Sequence, residues 1–188
     1  MIIEEIEKQI INLLPTSNIL LDEVDYSILE ERKKDWKKLS EVTHSIVLAF
    51  DCYTKKFVFV SDNIPELYGL DSHRLFIDGH QPVVEVIHPD DIYYGLIVRK
   101  KIYSILSSFS NEEKMNYKAI HEMRVRNLRG EYIRIIEQEQ VIELDKSGNI
   151  WLMLSVIDVD ASHESEIIKS HLYNFKTGEQ IFIDLSDT

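Results

Sequence analysis

The chain is poor in several things that would otherwise direct its reading. It has one cysteine, Cys52, in 188 residues, so no intrachain disulfide can form. A chain of this length can bury a core without such staples, and the usage suits a reducing compartment. Basic residues are scarce beside acidic ones, 21 Lys and Arg against 33 Asp and Glu, for a formal net charge of −12. Nucleic acid is held largely through Lys and Arg contacts to phosphate, so this chain by itself is not expected to bind it. Six glycines leave few places for a phosphate cradle, and no Gly-rich phosphate loop, Ser-His-Asp order or paired-Cys motif occurs. No apolar run approaches the ~20 residues of a membrane helix. The opening MIIEEIEKQI is acidic and periodic, unlike a secretory leader. A cytoplasmic protein that does not meet the membrane is expected.

What is present has a clear order. Residues 1 to about 40 read as helix: Ile3, Ile6, Ile10, Leu13 and Leu14 make one stripe, Pro15 to Asn18 interrupts it, and Leu21, Val24, Ile28, Trp36 and Leu39 make a second. This amphipathic arm must cover something, its own domain or a second copy. The period then drops to two. Ser45–Asp51 and Lys56–Ser61 read as a hairpin around Cys52–Lys55. Asp62–Leu70 suggests a short helix leaving through Gly69. Ile92 through Phe109 carries helical spacing, and Ser107–Asn116 reads as loop. Three long strands follow, at 117–127, 132–144 and 150–159, separated by Arg129-Gly130-Glu131 and Asp145–Asn149 turns. The last strand, IWLMLSVIDV, is apolar at both parities, so both its faces need cover. Tyr173, Phe175, Ile181 and Ile183 around Lys176-Thr177-Gly178 suggest a small hairpin.

Four motifs in this order carry a resemblance. Phe59 to Ile64 with Leu67-Tyr68-Gly69-Leu70 resembles the second strand and first helix of the PAS sensor domain. Ile87-His88-Pro89-Asp90-Asp91 resembles the His-Pro-Asp-Asp segment of one PAS subgroup. The turns at Leu128–Glu131 and Asp145–Gly148 resemble its two later hairpins, with Arg129 where the family usually has Asp. The likeness runs from about 45 to 160. It implies an α+β fold: a PAS-like five-stranded antiparallel sheet with flanking helices, preceded by the helical arm. The domain organisation expected is an arm at 1–43, a sensor domain at 44–160 and an extension or linker at 161–188.

Individual residues admit bland and sharp readings. His88 can cap a helix, with Pro89 at its first position and Asp90 and Asp91 in its first turn, where carboxylates favour the positive end of the dipole. As a metal site this spacing lacks further ligands and matches no common zinc pattern; no metal site is expected. Cys52 lies outside the Asn-Cys-Arg motif of flavin photoreceptors and reads as an inert surface or half-buried thiol. His121 shares parity with Met123 and Val125, the row that in PAS folds looks into the cavity. It reads as a hydrogen-bonded core histidine, a ligand contact or a pH-sensitive group. The long helix has no histidine after its start, which argues against haem of the usual PAS kind, and no cofactor is named by the sequence. Arg124 and Arg126 face away from Met123 and read as a solvated edge. Trp151 is expected to anchor the arm or a dimer partner. The resemblance places Phe59, Tyr68, His121 and Met123 around a ligand cavity.

Three functions follow as expectations. The first is a sensory and dimerisation module without catalysis, binding a small molecule and passing a shift to an attached effector. No long heptad helix follows Asp158-Val159-Asp160-Ala161, unlike PAS kinases and cyclases. That organisation resembles the PAS-containing LuxR-type transcription regulators, in which a helix-turn-helix domain beyond residue 188 would bind DNA. An interaction module of a kinase or cyclase is the alternative. The second is a small α+β enzyme using His88, Asp90, Asp91 or His121, for which no catalytic constellation is visible. The third is a dimerisation module with a filled core.

Overall fold

The computed structural model describes Lys8, residues 24–160 and residues 170–183. The first helical stripe, Leu21 and the residues that follow Asp160 up to Lys169 lie outside the described residues. Helix α1 (Leu29–Thr43) leads into a hairpin of β1 (Ile46–Asp51) and β2 (Lys56–Val60). Three short helices follow, α2 (Ile64–Tyr68), α3 (Ser72–Asp78) and α4 (Gln81–Val84), and then the long helix α5 (Pro89–Ser108) and the single turn α6 (Asn111–Lys114). Strands β3 (Tyr117–Arg126), β4 (Tyr132–Leu144) and β5 (Ile150–Val159) complete the antiparallel sheet, and β6 (Ser170–Asn174) and β7 (Gln180–Phe182) extend it. The strand order is β2-β1-β5-β4-β3-β6-β7. The first five form the five-stranded antiparallel sheet that the resemblance implies; β6 joins its free edge by pairing with β3, His121 opposite Ser170.

Both faces of the sheet are covered. All six residues of β1 are buried. Ile46, Leu48 and Phe50 join the main core beneath the helices, while Val47 and Ala49 join a second cluster with Leu29, Trp36, Trp151 and Leu152. Alternation along a strand sends neighbours to opposite faces, so a strand buried throughout must sit between two layers. Helix α1 supplies the second layer. Trp36 packs on Phe59, rings 5.7 Å apart, and Tyr26 meets Trp151 edge to face at 5.4 Å. Burying a large apolar side chain is worth roughly 1.5–3 kcal/mol, so these aromatics hold the arm against the sheet as the apolar last strand requires.

The start of α5 fixes how the helix layer meets the sheet. His88 is the N-cap, its Nδ1 accepting from the Asp90 N–H at 3.2 Å, with Pro89 first in the helix. Residues just before it pair with the end of β3: the His88 N–H donates to the Arg124 carbonyl at 2.8 Å and the Arg126 N–H to the Val86 carbonyl at 2.7 Å. Asp91 is buried and accepts from the Arg124 N–H at 2.8 Å and from its guanidinium, including Nε at 3.0 Å. Arg124 is therefore the clamp between α5 and β3 rather than a solvated edge. The polar 107–116 stretch also differs from a plain loop. Ser110 and Glu113 form a capping box that starts α6, since Ser and Glu three apart satisfy two helix-end donors reciprocally. Gly69 ends α2 at φ +64°, where an added Cβ would lie 2.7 Å from Leu128 Cδ2, a conformation and a space that suit glycine.

Candidate functional site

Between the sheet and helices α2 to α5 lies a cavity of about 240 Å³. Part of its lining is apolar, with Leu48, Phe50, Phe57 and Ile64. Another part carries charge. Helix α5 directs Arg99 and Tyr103 inward because they share a stripe with Ile92, Leu96 and Leu106, at spacings of three and four. Strand β4 directs Glu137 and Glu139 inward because they alternate with Ile135 and Val141 in its buried row. Strand β3 adds His121, and β6 adds Ser170.

The contacts are specific. Arg99 Nη2 donates to Glu137 Oε2 at 2.7 Å. The Tyr103 hydroxyl reaches Glu139 Oε1 at 3.4 Å. His121 Nδ1 lies 3.3 Å from Ser170 Oγ, and its Nε2 lies 4.0 Å from Glu139 Oε2. Those last two atoms, with the Tyr68 hydroxyl, are buried side-chain polar atoms that meet no hydrogen-bond partner among the described residues.

One guanidinium thus faces two carboxylates in a buried site. Burial pushes the Glu137 carboxyl up, but the Arg99 cation, together with His121, a hydrogen bond from Ser155 and His80, holds the group below its ordinary value. Glu139 goes the other way: burial, joined by the charge on Glu137, pushes its carboxyl up to about 7 despite Arg99. Two close carboxylates cannot both ionise freely, so the pair retains a proton up to neutrality, on Glu139. Burial and then Arg99 lower His121 to about 4 and His80 to about 3, so both imidazoles are neutral at pH 7. The 4.0 Å approach of His121 to Glu139 is therefore not an ion pair. Cys52 is fully buried, where desolvation pushes its thiol well up; this is deeper than a turn position suggests, and it leaves the sulfur unreactive.

Of the four residues expected around a cavity, Tyr68, His121 and Met123 line it. Phe59 does not. A bulge in the β1–β2 pairing sets Phe57 opposite Phe50 but Phe59 opposite Ala49, so Phe57 faces the cavity and Phe59 faces Trp36 on the other side. An extra residue in one strand reverses the parity beyond it. Sequence reasoning also passed over Arg99, Tyr103, Glu137 and Glu139. Their signal was charge inside apolar stripes: Arg99 in the helical stripe of α5, and Glu137 and Glu139 between Ile135 and Val141 at strand parity. His88 and Asp91 sit together at the start of α5, apart from this cluster in their bonding, with Asp91 committed to Arg124. Among the described residues no group of three or more His, Cys, Asp or Glu is placed to hold a metal ion, and no helix is long and apolar enough to cross a membrane.

Solved structures similar to this chain include the PAS domain of a protein from Colwellia psychrerythraea, 16% identical over 71% of this chain and 97% of that one, TM-score 0.49. Another is the N-terminal domain of a diguanylate cyclase with PAS/PAC sensor from Marinobacter aquaeolei, 16% identical over 61% and 94%, TM-score 0.47. A third is a sensory box histidine kinase/response regulator from Burkholderia thailandensis, 19% identical over 65% and 82%, TM-score 0.45. No curated protein matches the sequence. A family model described as PAS fold matches residues 57–157, more than half of the chain. The chain belongs to the PAS fold family.

Proposed function

We propose that this chain is the sensory part of a cytoplasmic transcription regulator, binding a small molecule in its cavity and governing an attached LuxR-type helix-turn-helix domain that binds DNA. The observation that carries the reading is Ser170. It lines the cavity, meets His121 there, and opens β6, the strand that extends the sheet after β5. A ligand that moves His121 therefore acts directly on the C-terminal extension. In this reading the domain is not an enzyme and works as a homodimer. Exposed apolar side chains on α1 and β5, Val42 and Val159, offer surface for a second copy. Binding free energy then biases two arrangements of the extension or the dimer.

Translating the gene downstream of residue 188 tests the output. A helix-turn-helix segment within the next sixty or so codons is expected; a kinase or cyclase domain there would replace this reading with its alternative. Native mass spectrometry of freshly purified protein tests the sensor, with a retained small molecule expected. Alanine changes at His88, Asp91 and His121 should alter stability or ligand retention and no turnover.

A further inference from the structure

We infer that the cavity is built for a small primary amine with an apolar substituent, its ammonium group bridging Glu139 Oε2 and His121 Nε2. The inference rests on the reading of the domain as a small-molecule sensor and names the class of that molecule.

The two atoms are 4.0 Å apart, both side chains are at least nine-tenths buried, and neither atom meets a donor or acceptor among the described residues. A single nitrogen placed ~2.8–2.9 Å from each, an ordinary charge-assisted distance, spans that gap. The protein prepares both atoms as acceptors. With its proton on Nδ1, directed at Ser170 Oγ 3.3 Å away, His121 presents the Nε2 lone pair to the cavity. Glu139 presents a carboxylate oxygen whose partner oxygen already faces Tyr103.

Charge counting favours a cation over a neutral hydroxyl. The groups facing Glu139 are Arg99 and Tyr103 on α5, Glu137 on its own strand, His121 on β3, and Cys52 after β1, with His80 near Arg99 and Glu137. Arg99 is matched by Glu137 at 2.7 Å. The tyrosines, the thiol and the neutral imidazoles bring no charge, so the cluster is one cation short when Glu139 is ionised. A hydroxyl supplies one donor and no charge; an ammonium supplies the missing charge and three donors. A ligand carboxylate would meet two acidic side chains and is excluded on the same count. The apolar lining, with Phe50 and Phe57, receives the carbon portion, and a volume of about 240 Å³ limits the ligand to small molecules, below the ~300–1,000 Å³ of drug-sized pockets.

The test titrates the full chain by calorimetry with primary amines from ethylamine to 2-phenylethylamine, each matched by its alcohol, at pH 8 and pH 6. At least one amine should bind at pH 8 at least tenfold more tightly than its alcohol. Its affinity should fall about tenfold by pH 6 as Glu139 takes up its proton, while the alcohol's changes little. Glu139→Gln should abolish the preference for amine. Because the wild-type pH profile carries the same information, a poorly folded variant does not block the test. Equal affinity for amine and alcohol, an amine affinity indifferent to pH, or no amine binding while the purified protein retains a non-basic molecule would overturn the amine assignment and leave the sensor reading standing. A cavity that takes neither probe, in a protein that retains nothing, would overturn both.

Discussion

Replacing Glu139 by glutamine should make the protein more stable, and increasingly so as the pH rises. In the folded protein the Glu139 carboxyl titrates near 7, against 4.5 for an ordinary glutamate, because burial and the neighbouring Glu137 charge disfavour its ionised form. Each pH unit between the two values is worth about 1.4 kcal/mol, so ionising Glu139 costs on the order of 3 kcal/mol more in the folded protein than in the unfolded chain. The sign follows from the direction. A group whose folded value lies above its unfolded value contributes its stability fully below pH 4.5 and loses it as pH rises through 7. Glutamine does not titrate, keeps an oxygen for Tyr103 and nearly preserves volume. The advantage of Glu139→Gln over wild type should therefore be under ~1 kcal/mol near pH 5, about 2 near pH 6 and about 3 at pH 8. Urea unfolding at each pH measures it directly, since Trp36 and Trp151 are both buried in the folded state and report unfolding by fluorescence. Taking differences at each pH cancels the carboxylates that do not interact with Glu139. A variant whose advantage is flat across pH 5–8, or which is less stable than wild type at pH 8, would show that Glu139 is ionised without strain, and the account of the cluster would fail.

Three further outcomes follow from the same contacts. Arg99→Met strands Glu137 and Glu139 without their cation and should cost about 3–5 kcal/mol at pH 8, partly recovered at pH 6 as both carboxylates protonate; a loss under ~1 kcal/mol in urea unfolding would refute the pairing. Asp91→Ala, which leaves the Arg124 N–H and guanidinium without their acceptor, should cost about 2–3 kcal/mol. His88→Ala, which removes only an N-cap acceptor, should cost about 0.5–1 kcal/mol, and the reverse ranking in thermal melts would refute the assignment of Asp91 as the clamp. Trp151→Ala should cost about 3–5 kcal/mol and loosen α1, so limited digestion at Lys33, Lys34, Lys37 and Lys38 should accelerate; an arm that stays protected would mean that Trp151 does not hold it.

The fold was legible where one physical signal acted alone. The strand β3 announces itself by alternation, β5 by an unbroken apolar run, and the breaks on either side of β4 by Gly-centred turns, and α5 by the His-Pro-Asp-Asp start that also gives it a cap, a fixed φ and two favourable charges. Trp151 on a strand apolar at both parities required a cover, and α1 lies there. Elements without such a signal were passed over. Helix α3 has Leu75, Phe76 and Ile77 in a row, which is no helical stripe; only Leu75 is buried, while Phe76 and Ile77 are exposed. The resemblance sets Phe59 on the cavity side, and the bulge opposite Ala49 and Phe50 that turns it to the other side has no mark in the sequence. The acidic pair in β4 was hidden by its neighbours. The opposite parity of that strand carries Arg134, Gln138 and Gln140, so polarity alone does not tell the buried row from the exposed one. Only the register with β3 and β5 does, and register is a property of the folded sheet.

The cluster's cost also bears on what it is for. Buried ion pairs are often no better for stability than apolar residues of the same size, and here the second carboxylate makes the arrangement worse by on the order of 3 kcal/mol above neutral pH. A core lined by Leu48, Phe50, Phe57 and Ile157 had an apolar solution available at Glu139. Stability therefore does not explain that residue, whereas the proposed sensor role would. A ligand that relieves the strain at Glu139 gains from the same ~3 kcal/mol, enough to shift a two-state equilibrium about 100-fold. The relief is delivered next to His121, whose other nitrogen faces Ser170 on β6. Energy held in the cavity is thus one side chain away from β6, the start of the C-terminal extension that the proposed function uses.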